Sequence, residues 1–420
     1  MEEIGRPVFG EDFGTAFYKF GPIWIGKIPD MIENRAYFPK ISKAVERIRG
    51  YVAKEVVVGP EVVEYLESKA DLSRLVYPMR NGVIERRDER GWRAAKELLR
   101  YSLLKHAPDK PGSFSGFYAV TALAAQAPTY MYEKFFQLHE EINKEEGLIV
   151  KALTIIPQPL AVAIAEKATV CTVLEAGHGN TQITPISKDV ISGALIPLNR
   201  GGSDSDRISA QILKDLGYSD LAKEEKFVRL FKEAAGLVPR DLDKAISWAK
   251  ENPNALVSSF QIPQTAVKIE MEDKGWLRFL IGEFYFDPRH EIFESYYSRG
   301  FSPPKDTLVA GEVIRGDVDL GEAIRISVSK TPVEIQPQLL KSVILSGGAF
   351  YWKVPPGLEN IAVDSPTKIK LLLDRIGIKS EPKMVSDPQY SVWRGAIVYG
   401  YYLAEDYKWD WRQMEGWYYF

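Results

Sequence analysis

A short segment near the start of the chain has the residue types of a phosphate-binding turn. Asp12 ends a strand-like stretch and is followed by Gly14 and Thr15. Glycine lets backbone N–H groups approach an anion closely, and the threonine hydroxyl adds a donor. A carboxylate repels phosphate, so the natural partner of Asp12 is a hydrated magnesium ion. Lys19 is placed to return along a hairpin toward the same anion, although an ordinary hairpin turn would have the same sequence.

A second segment repeats this arrangement. Glu175 ends another strand-like stretch and precedes Gly177, Gly179 and Asn180. The loop offers backbone N–H groups to an anion, although a simple glycine-rich turn would look alike. It is not a dinucleotide fingerprint, because the third glycine is missing and residues 181–186 continue as a strand pattern.

A third glycine turn, 346–349, also follows an apolar strand-like stretch. The three turns are separated by similar lengths of chain. Two lobes of comparable size, each presenting a glycine turn to a shared cleft, would explain this spacing.

Other chemistries fit the sequence poorly. The segment from Gly21 to Lys27 has the spacing of a Walker A loop, but Ile28 stands where a hydroxyl should bind magnesium. The four histidines are scattered and make no zinc-binding pattern. Cys171 lies in a strand pattern, which favours an inert core thiol over a nucleophile.

Composition restricts the class of protein further. The 420 residues include 45% hydrophobic and 12% aromatic side chains, enough to bury a large core. The 54 basic and 57 acidic residues give a net charge of −3, which argues against broad binding to nucleic acid or anionic membranes. The single cysteine fits a reducing compartment, and we see neither a signal peptide nor an apolar run long enough to span a membrane. We therefore expect a soluble cytoplasmic protein.

Strand-like and helix-like segments alternate along the chain and predict an α/β class. Residues 56–58, 169–174 and 343–345 are predicted strands. Residues 92–106 and 224–235 have apolar side chains at helical spacing, and Gly236 follows the second of these helices.

Taken together and in order, the chemical segments resemble the actin superfamily of ATPases. Segment 12–19 resembles the first phosphate loop of that superfamily, 175–181 the second, and 346–349 the adenosine loop. The matching segments, in chain order, are 12–19, 77–84, 157–162, 175–181, 227–233, 346–349 and 390–396. Segments 157–165 and 198–202 resemble the archaeal crenactins more closely than eukaryotic actin, so a crenactin-like chain is expected.

The resemblance implies an actin-like, duplicated RNase H-like fold of two lobes and four subdomains around a central nucleotide cleft. The first lobe would comprise residues 1–156 and 391–420, with a small subdomain inserted at 29–74. The second lobe would comprise 157–390, with its small subdomain at 201–281. The segments 157–162 and 390–396 would form connecting helices, and Gly395 would allow a close approach there.

The resemblance also implies the roles of individual residues. Asp12 and Glu175 would hold hydrated Mg2+, and Gln158 would orient the attacking water. These three are the expected catalytic residues. The expected nucleotide-binding residues are Asp12, Gly14, Thr15, Lys19, Gly177, Gly179, Asn180, Gly202, Lys232, Glu233, Gly347, Gly348 and Ala349. For Lys232 and Glu233, a solvated helix face explains the residue types equally well.

Three positions depart from the actin pattern. Glu175 replaces an aspartate, which moves the carboxylate by about 1.5 Å, one carbon–carbon bond length. Gln182 replaces a histidine that helps to order the catalytic water. Gln389 replaces a lysine on the adenine side.

The implied function is that of an actin-like cytoskeletal ATPase that binds Mg-ATP in the cleft, hydrolyses it and polymerises into filaments. A nucleotide-binding scaffold with little turnover, or a small-molecule kinase of the same superfamily, remains an alternative. The expected partners are copies of the chain itself and accessory cytoskeletal proteins, without nucleic acid or membrane insertion.

The C-terminal segment is unusually aromatic. Its aromatic residues are Tyr401, Tyr402, Tyr407, Trp409, Trp411, Trp417, Tyr418, Tyr419 and Phe420. Such a surface marks an interface when it is exposed. We expect it to dock on its own first lobe, with a filament contact as the alternative.

Overall fold

The structure is a computed structural model that describes residues 6–23, 28–40, 54–67, 71–108, 114–253, 255–256, 259–262, 265–309 and 311–420. The N-terminal residues that lack a signal-peptide pattern lie outside these ranges. So does most of the Walker-like segment, residues 24–27.

The described residues form a mixed α/β protein, as the alternation of patterns predicts. The strands are β1 Val8–Phe13, β2 Phe17–Pro22, β3 Asp30–Glu33, β4 Ala36–Tyr37, β5 Val57–Val58, β6 Leu75–Val76, β7 Phe117–Leu123, β8 Val150–Pro157, β9 Val170–Ala176, β10 Thr181–Ser187, β11 Asp189–Val190, β12 Ile196–Leu198, β13 Ser259–Gln261, β14 Lys268–Glu270, β15 Thr307–Val309, β16 Glu312–Ile314, β17 Val343–Ser346, β18 Lys383–Met384 and β19 Tyr418–Tyr419. The α-helices are α1 Glu61–Glu67, α2 Glu89–His106, α3 Thr129–Glu146, α4 Gln158–Ala165, α5 Gly202–Asp215, α6 Glu225–Ala235, α7 Leu242–Glu251, α8 Leu277–Phe286, α9 Glu294–Tyr297, α10 Leu320–Ser329, α11 Gln336–Lys341, α12 Ser365–Arg375 and α13 Ser391–Tyr402.

The chain divides into two compact units. The first unit comprises Met1–Ala168 and Tyr390–Phe420, and the second comprises Thr169–Gln389. The lobe and subdomain boundaries expected from the sequence stay predictions.

The first unit is built on a sheet with strand order β19-β8-β7-β1-β2-β3. Strands β1, β7 and β8 run parallel, whereas β1–β2, β2–β3 and β8–β19 are antiparallel pairs. Every residue of β1 and β7 is buried, as is typical of central parallel strands covered on both faces. A smaller sheet of order β5-β4-β6 belongs to the same unit.

The second unit contains a sheet of order β11-β10-β9-β17-β18, with β12 also paired to β10. Strands β9 and β17 are parallel, and β9 and β10 form an antiparallel hairpin. The hairpins β13–β14 and β15–β16 complete its strands among the residues described. A further apolar core gathers residues from α5, α6, α7 and α8.

Capping residues explain where several helices begin. Asp88 accepts a hydrogen bond from the Gly91 amide at the start of α2, so the helix begins before the predicted residue 92. Aspartates 241, 319 and 364 cap α7, α10 and α12 in the same way. Helix α6 ends at Ala235, and Gly236 follows it as the C-cap, as predicted.

The three strands predicted from apolar patterns differ in length from the strands of the structure. Strand β9 continues through Glu175 and Ala176 because both residues pair with β10. Strand β17 likewise extends to Ser346, which pairs with Glu175, whereas the first predicted strand is reduced to Val57–Val58.

The aromatic C-terminal segment packs on the first unit, which confirms the expected docking. Strand β19 pairs with the edge strand β8, with Tyr418 opposite Leu153. The rings of Trp409 and Tyr418 lie 4.8 and 4.7 Å from that of Phe136. Tyr402 remains 86% exposed, so docking does not cover the whole segment.

Helices α4 and α13 touch at a glycine, as expected for Gly395. A Cβ atom there would lie 1.8 Å from the backbone oxygen of Ala161. Because no side chain fits this space, glycine allows the helix backbones to meet. Whether these helices act as a hinge stays a prediction.

A fully buried histidine–carboxylate pair joins α3 to β1. The His139 Nε2 atom is 3.3 Å from Glu11 Oε2, and both side chains have no exposed surface. Glu11 also accepts hydrogen bonds from Tyr18 and Thr121. Burial alone would lower the pKa of His139, but the Glu11 carboxylate outweighs it, and the pKa is raised above 6.5.

Candidate functional site

The first predicted phosphate turn connects β1 and β2. Asp12 and Lys19 face each other in the register of this hairpin, so the lysine does return to the aspartate. The Gly14 N–H donates to the carbonyl oxygens of Asp12 and Phe17, both at 3.1 Å. This N–H is therefore used within the hairpin, and Gly14 contributes to the shape of the turn.

Asp12 is the centre of a small polar cluster in the first unit. It is only 2% exposed. Lys19 Nζ donates to its Oδ2 atom at 2.7 Å, and Gln158 Nε2 donates to its Oδ1 atom at 2.9 Å. Gln158 is the first residue of α4 and directly follows β8, so a strand end and a helix start hold its side chain. The structure thus brings together three of the predicted residues of this unit.

Two residues that the sequence analysis did not single out hold the same turn. The Gly82 N–H donates to Thr15 Oγ1 at 3.0 Å. The Asn34 side chain donates from Nδ2 to the carbonyl oxygen of Gly14 at 2.6 Å. These contacts join positions that are 67 and 20 residues apart, and no local spacing signals them.

The second predicted turn connects β9 and β10. Glu175 and Gln182 are opposite each other in the register, and Gln182 Nε2 donates to Glu175 Oε2 at 3.0 Å. Both side chains are buried. Two of the departures from the actin pattern are therefore in direct contact. The turn itself is closed by the Gly177 N–H, which donates to the Asn180 carbonyl at 3.0 Å.

The first residues of α5 hold this second turn through backbone hydrogen bonds. The amides of Gly202 and Ser203 donate to the carbonyl oxygens of Gly177 and His178 at 3.0 and 2.8 Å. A Cβ atom at Gly201 would lie 2.6 Å from the His178 oxygen, so the close approach requires glycine. With its carbonyl oxygens bound to the helix, the turn is held in one orientation.

Lys232 lies beside this support. Its Nζ atom is 2.8 Å from Asp206 Oδ1 and 3.4 Å from the Gly202 carbonyl oxygen. The structure thus brings Lys232 close to Gly202, as its predicted role requires. Glu233, the next residue of α6, is exposed.

The third turn follows β17, which runs parallel to β9 and pairs Ser346 with Glu175. Gly347 has a φ of +97°, and a Cβ atom there would lie 2.1 Å from the Ala176 carbonyl oxygen. Gly348 and Ala349 form a short 3-10 turn that begins after it. The strand ends that carry the second and third turns are thus adjacent within one sheet.

Trp352 is a further candidate that sequence reasoning missed. Its Nε1 atom donates to the Ala349 carbonyl at 2.8 Å. A Cβ atom at Gly236 would lie 2.6 Å from its ring, so the tryptophan bridges the third turn and the end of α6. A half-buried aromatic ring beside a glycine turn could stack on a base.

Metal and nucleophile chemistry finds little support elsewhere. In the ranges that the structure describes, no three acidic, histidine or cysteine residues gather into a metal site. Cys171 is buried, and burial raises the pKa of its thiol to about 12, so it is inert as predicted. No helix in those ranges has both the length and the apolar character needed to cross a bilayer.

Comparisons with known proteins decide the family. The sequence model of the family described as Actin matches residues 33–403. The chain belongs to the actin family. Actin-related protein 3 of Oryza sativa subsp. indica is 25% identical, covering 95% of this chain and 92% of the relative. Actin-related protein 2 of Saccharomyces cerevisiae is 26% identical, covering 83% and 79%. Actin-related protein 3 of Dictyostelium discoideum is 22% identical, covering 83% and 78%.

Family membership confirms the actin-like fold class that the resemblance implies. It also gives the chain the general function of an actin-like nucleotide-binding protein. The expected closeness to archaeal crenactins stays a prediction, because these relatives are actin-related proteins of other organisms. The roles of the individual site residues stay predictions as well.

Proposed function

We propose that the chain is an actin-like cytoskeletal ATPase that binds Mg-ATP, hydrolyses it and polymerises into filaments. The observation that carries the proposal is the buried cluster in which Asp12 accepts hydrogen bonds from both Lys19 and Gln158. It joins a carboxylate, a cation and an amide at the end of a strand, followed by a glycine turn. Family membership supports the same activity.

The oxygen chemistry of the two acidic turns fits hydrated Mg2+. Asp12 and Glu175 supply carboxylate oxygens, the ligand type that this ion prefers. We propose that both carboxylates hold the ion through its waters. When bound, the ion would neutralise charge on the terminal phosphates.

The turn residues would bind the phosphates. Thr15, Gly179 and Asn180 would donate hydrogen bonds to phosphate oxygens, as in other glycine-rich anion sites. Gly177, whose N–H closes its own turn, would contribute by shaping that turn. Lys19 would exchange part of its contact with Asp12 for the phosphate charge. Gly14 would contribute by allowing the tight hairpin.

Gln158 would position the attacking water. Because Asp12 binds its nitrogen, the side-chain amide has a fixed orientation and its carbonyl oxygen can accept a hydrogen bond from water. The water oxygen forms a bond to the γ-phosphorus, and the bond from that phosphorus to the ADP oxygen breaks. The products are ADP and inorganic phosphate.

The base and ribose would be held by the second unit. Gly202, Lys232 and Glu233 would form one wall, and residues 347–349 the other. Trp352 would extend the second wall with an aromatic face. The contact between Lys232 and Gly202 supports this grouping.

A scaffold with little turnover is the second candidate. Gln182 stands where actin has a histidine that helps to order water, and here its amide is bound to Glu175. This contact favours slow hydrolysis over fast. A small-molecule kinase is the third candidate, although the sequence offers no further carboxylate with the signature of a general base for an acceptor hydroxyl.

Assembly and location complete the proposal. Self-association would be the main interaction, accessory cytoskeletal proteins would be partners, and the cytoplasm would be the compartment. We propose kinship with crenactins on the basis of segments 157–165 and 198–202.

Sedimentation with Mg-ATP, with released phosphate measured in parallel, separates these candidates. Pelleting together with phosphate release supports the filament ATPase. Tight nucleotide retention without turnover supports the scaffold, and turnover only after addition of a small acceptor alcohol supports the kinase.

Gln158→Ala tests the hydrolysis step within this experiment. It should slow phosphate release by about 100-fold, the lower range for a lost positioning group, while ATP affinity stays within about 3-fold. Gln137→Ala removes an amide from the exposed face of α3 and should change neither quantity. Equal losses of affinity and turnover at position 158 would contradict the assigned role.

A further inference from the structure

Asn34 holds both peptide groups that border the middle of the first phosphate turn. Its side-chain Nδ2 atom donates to the Gly14 carbonyl at 2.6 Å, and its backbone N–H donates to the Ala16 carbonyl at 2.8 Å. The residue has no exposed surface. From these contacts we infer that Asn34 is a positioning residue for phosphate binding, an inference that rests on the proposed function.

The planarity of the peptide group makes this role specific. The Gly14 carbonyl and the Thr15 N–H belong to the same trans peptide unit, so they point in opposite directions. When Asn34 binds the Gly14 oxygen on one side, it turns the Thr15 N–H to the other side. The Ala16 carbonyl and the Phe17 N–H also share one peptide unit, so the bond from the Asn34 N–H to the Ala16 oxygen orients that unit in the same way. One buried residue thereby sets the direction of the N–H groups of Thr15 and Phe17, the residues before and after Ala16.

Stability alone gives a poor account of an asparagine here. The Asn34 Oδ1 atom is buried and has no hydrogen-bond partner among the described residues. An unsatisfied buried oxygen is unfavourable for folding, and it offsets the hydrogen bond that Nδ2 makes. Asn34 should therefore contribute little net stability while it fixes the geometry of the turn.

Asn34 also links this turn to another part of the unit. It directly follows β3 and precedes the small sheet that starts with β4. A displacement of this segment would change the direction of the turn amides. The strength of phosphate binding is thus connected to the position of the segment that includes β3 and β4.

The test compares a ligand that carries the Mg2+-bound triphosphate with one that lacks it. Affinities of Mg-ATP and of adenosine are measured by isothermal titration calorimetry on the full chain. Asn34→Ala should weaken Mg-ATP about 10-fold, the effect of one lost hydrogen bond of about 1.4 kcal/mol, and leave adenosine within about 2-fold. Asn34→Asp keeps the shape but replaces the donor by an acceptor, and it should weaken Mg-ATP at least as much.

Asn143 provides the matched control. Its side chain also holds a loop, donating to the Val150 carbonyl and accepting from the Ile149 and Val150 amides. Asn143 belongs to α3 and contacts the first residue of β8, whereas Gln158 follows the last, so Asn143→Ala should leave both affinities unchanged even if it lowers the melting temperature.

The outcomes separate this inference from the proposed function. If the wild-type chain fails to bind Mg-ATP, the proposed function and the inference both fail. If it binds Mg-ATP and both Asn34 variants bind it equally well, only the inference is overturned. Parallel losses for Mg-ATP and adenosine would also overturn it, because they would show a general structural role.

Discussion

The contact between α4 and α13 allows a prediction that joins packing to the site. Gly395→Ala places a Cβ atom 1.8 Å from the Ala161 carbonyl oxygen and 2.4 Å from its carbonyl carbon. The shortest comfortable carbon–oxygen contact is about 3.3 Å. The two helices must therefore separate by roughly 1.5 Å, and backbone atoms on both sides leave no flexible side chain to absorb the change.

The separation has an energetic and a functional consequence. Inserting a methyl group into such a packed contact destabilises a protein by about 1–3 kcal/mol. Helix α4 begins with Gln158, whose nitrogen is 2.9 Å from Asp12 Oδ1. A shift of roughly 1 Å lengthens this hydrogen bond beyond the usual limit of about 3.2 Å. We therefore expect Gly395→Ala to slow phosphate release as well as to lower stability.

Urea unfolding followed by tryptophan fluorescence measures the stability loss, and a phosphate assay measures turnover. Gly193→Ala is the control, because a Cβ atom at Gly193 has no neighbour within 4 Å. If Gly395→Ala unfolds at the same urea concentration as this control, the close contact between the helices is wrong. If stability falls but turnover does not, the link from α4 to Asp12 is wrong.

Three further predictions concern buried groups. The pKa of His139 is raised in the folded chain, so protonation of His139 stabilises the fold fully below pH 6.5, and this contribution is lost as pH rises through the folded pKa. The difference in unfolding free energy between wild type and His139→Gln should therefore shrink with rising pH. A difference that stays constant with pH would contradict this. Gly347→Ala should lower the unfolding free energy by about 2–5 kcal/mol, because it adds a backbone clash to a left-handed conformation. Gly348→Ala has open space around its Cβ atom, so its melting temperature should stay near that of the wild type. Lys368→Met leaves the buried Glu283 carboxylate without its cationic partner and should lower the unfolding free energy by about 3–5 kcal/mol. Adding Glu283→Gln should restore most of this lost free energy. A double variant no more stable than the single variant would refute the pairing.

Local patterns predicted the parts of the site that lie close together along the chain. The hairpin from Asp12 to Lys19 follows from a strand pattern, a glycine turn and a second strand pattern. The end of α6 before Gly236 follows from the same kind of reasoning. These features depend on backbone conformation within about 10 residues, which is the range over which turn and cap preferences act.

Contacts between distant segments could not be predicted in this way. Gln158 reaches Asp12 across 146 residues, and only the resemblance to actin placed them together. Asn34 and Trp352 escaped notice because a single asparagine or tryptophan has no periodic pattern. The hydrogen bond between Gln182 and Glu175 was hidden for another reason. Each appeared as a separate departure, and only the register of β9 and β10 shows that they meet.

In the proposed function, the carboxylates of Asp12 and Glu175 hold waters of the same magnesium ion. The most direct measurement is a double-mutant cycle on the Mg2+-dependent affinity for ATP, with Asp12→Ala, Glu175→Ala and the combination. If both carboxylates hold waters of the same ion, each single variant should remove most of the Mg2+ dependence, and the second change should add little. Independent, fully additive losses, or a Mg2+ dependence that survives in the double variant, would contradict it.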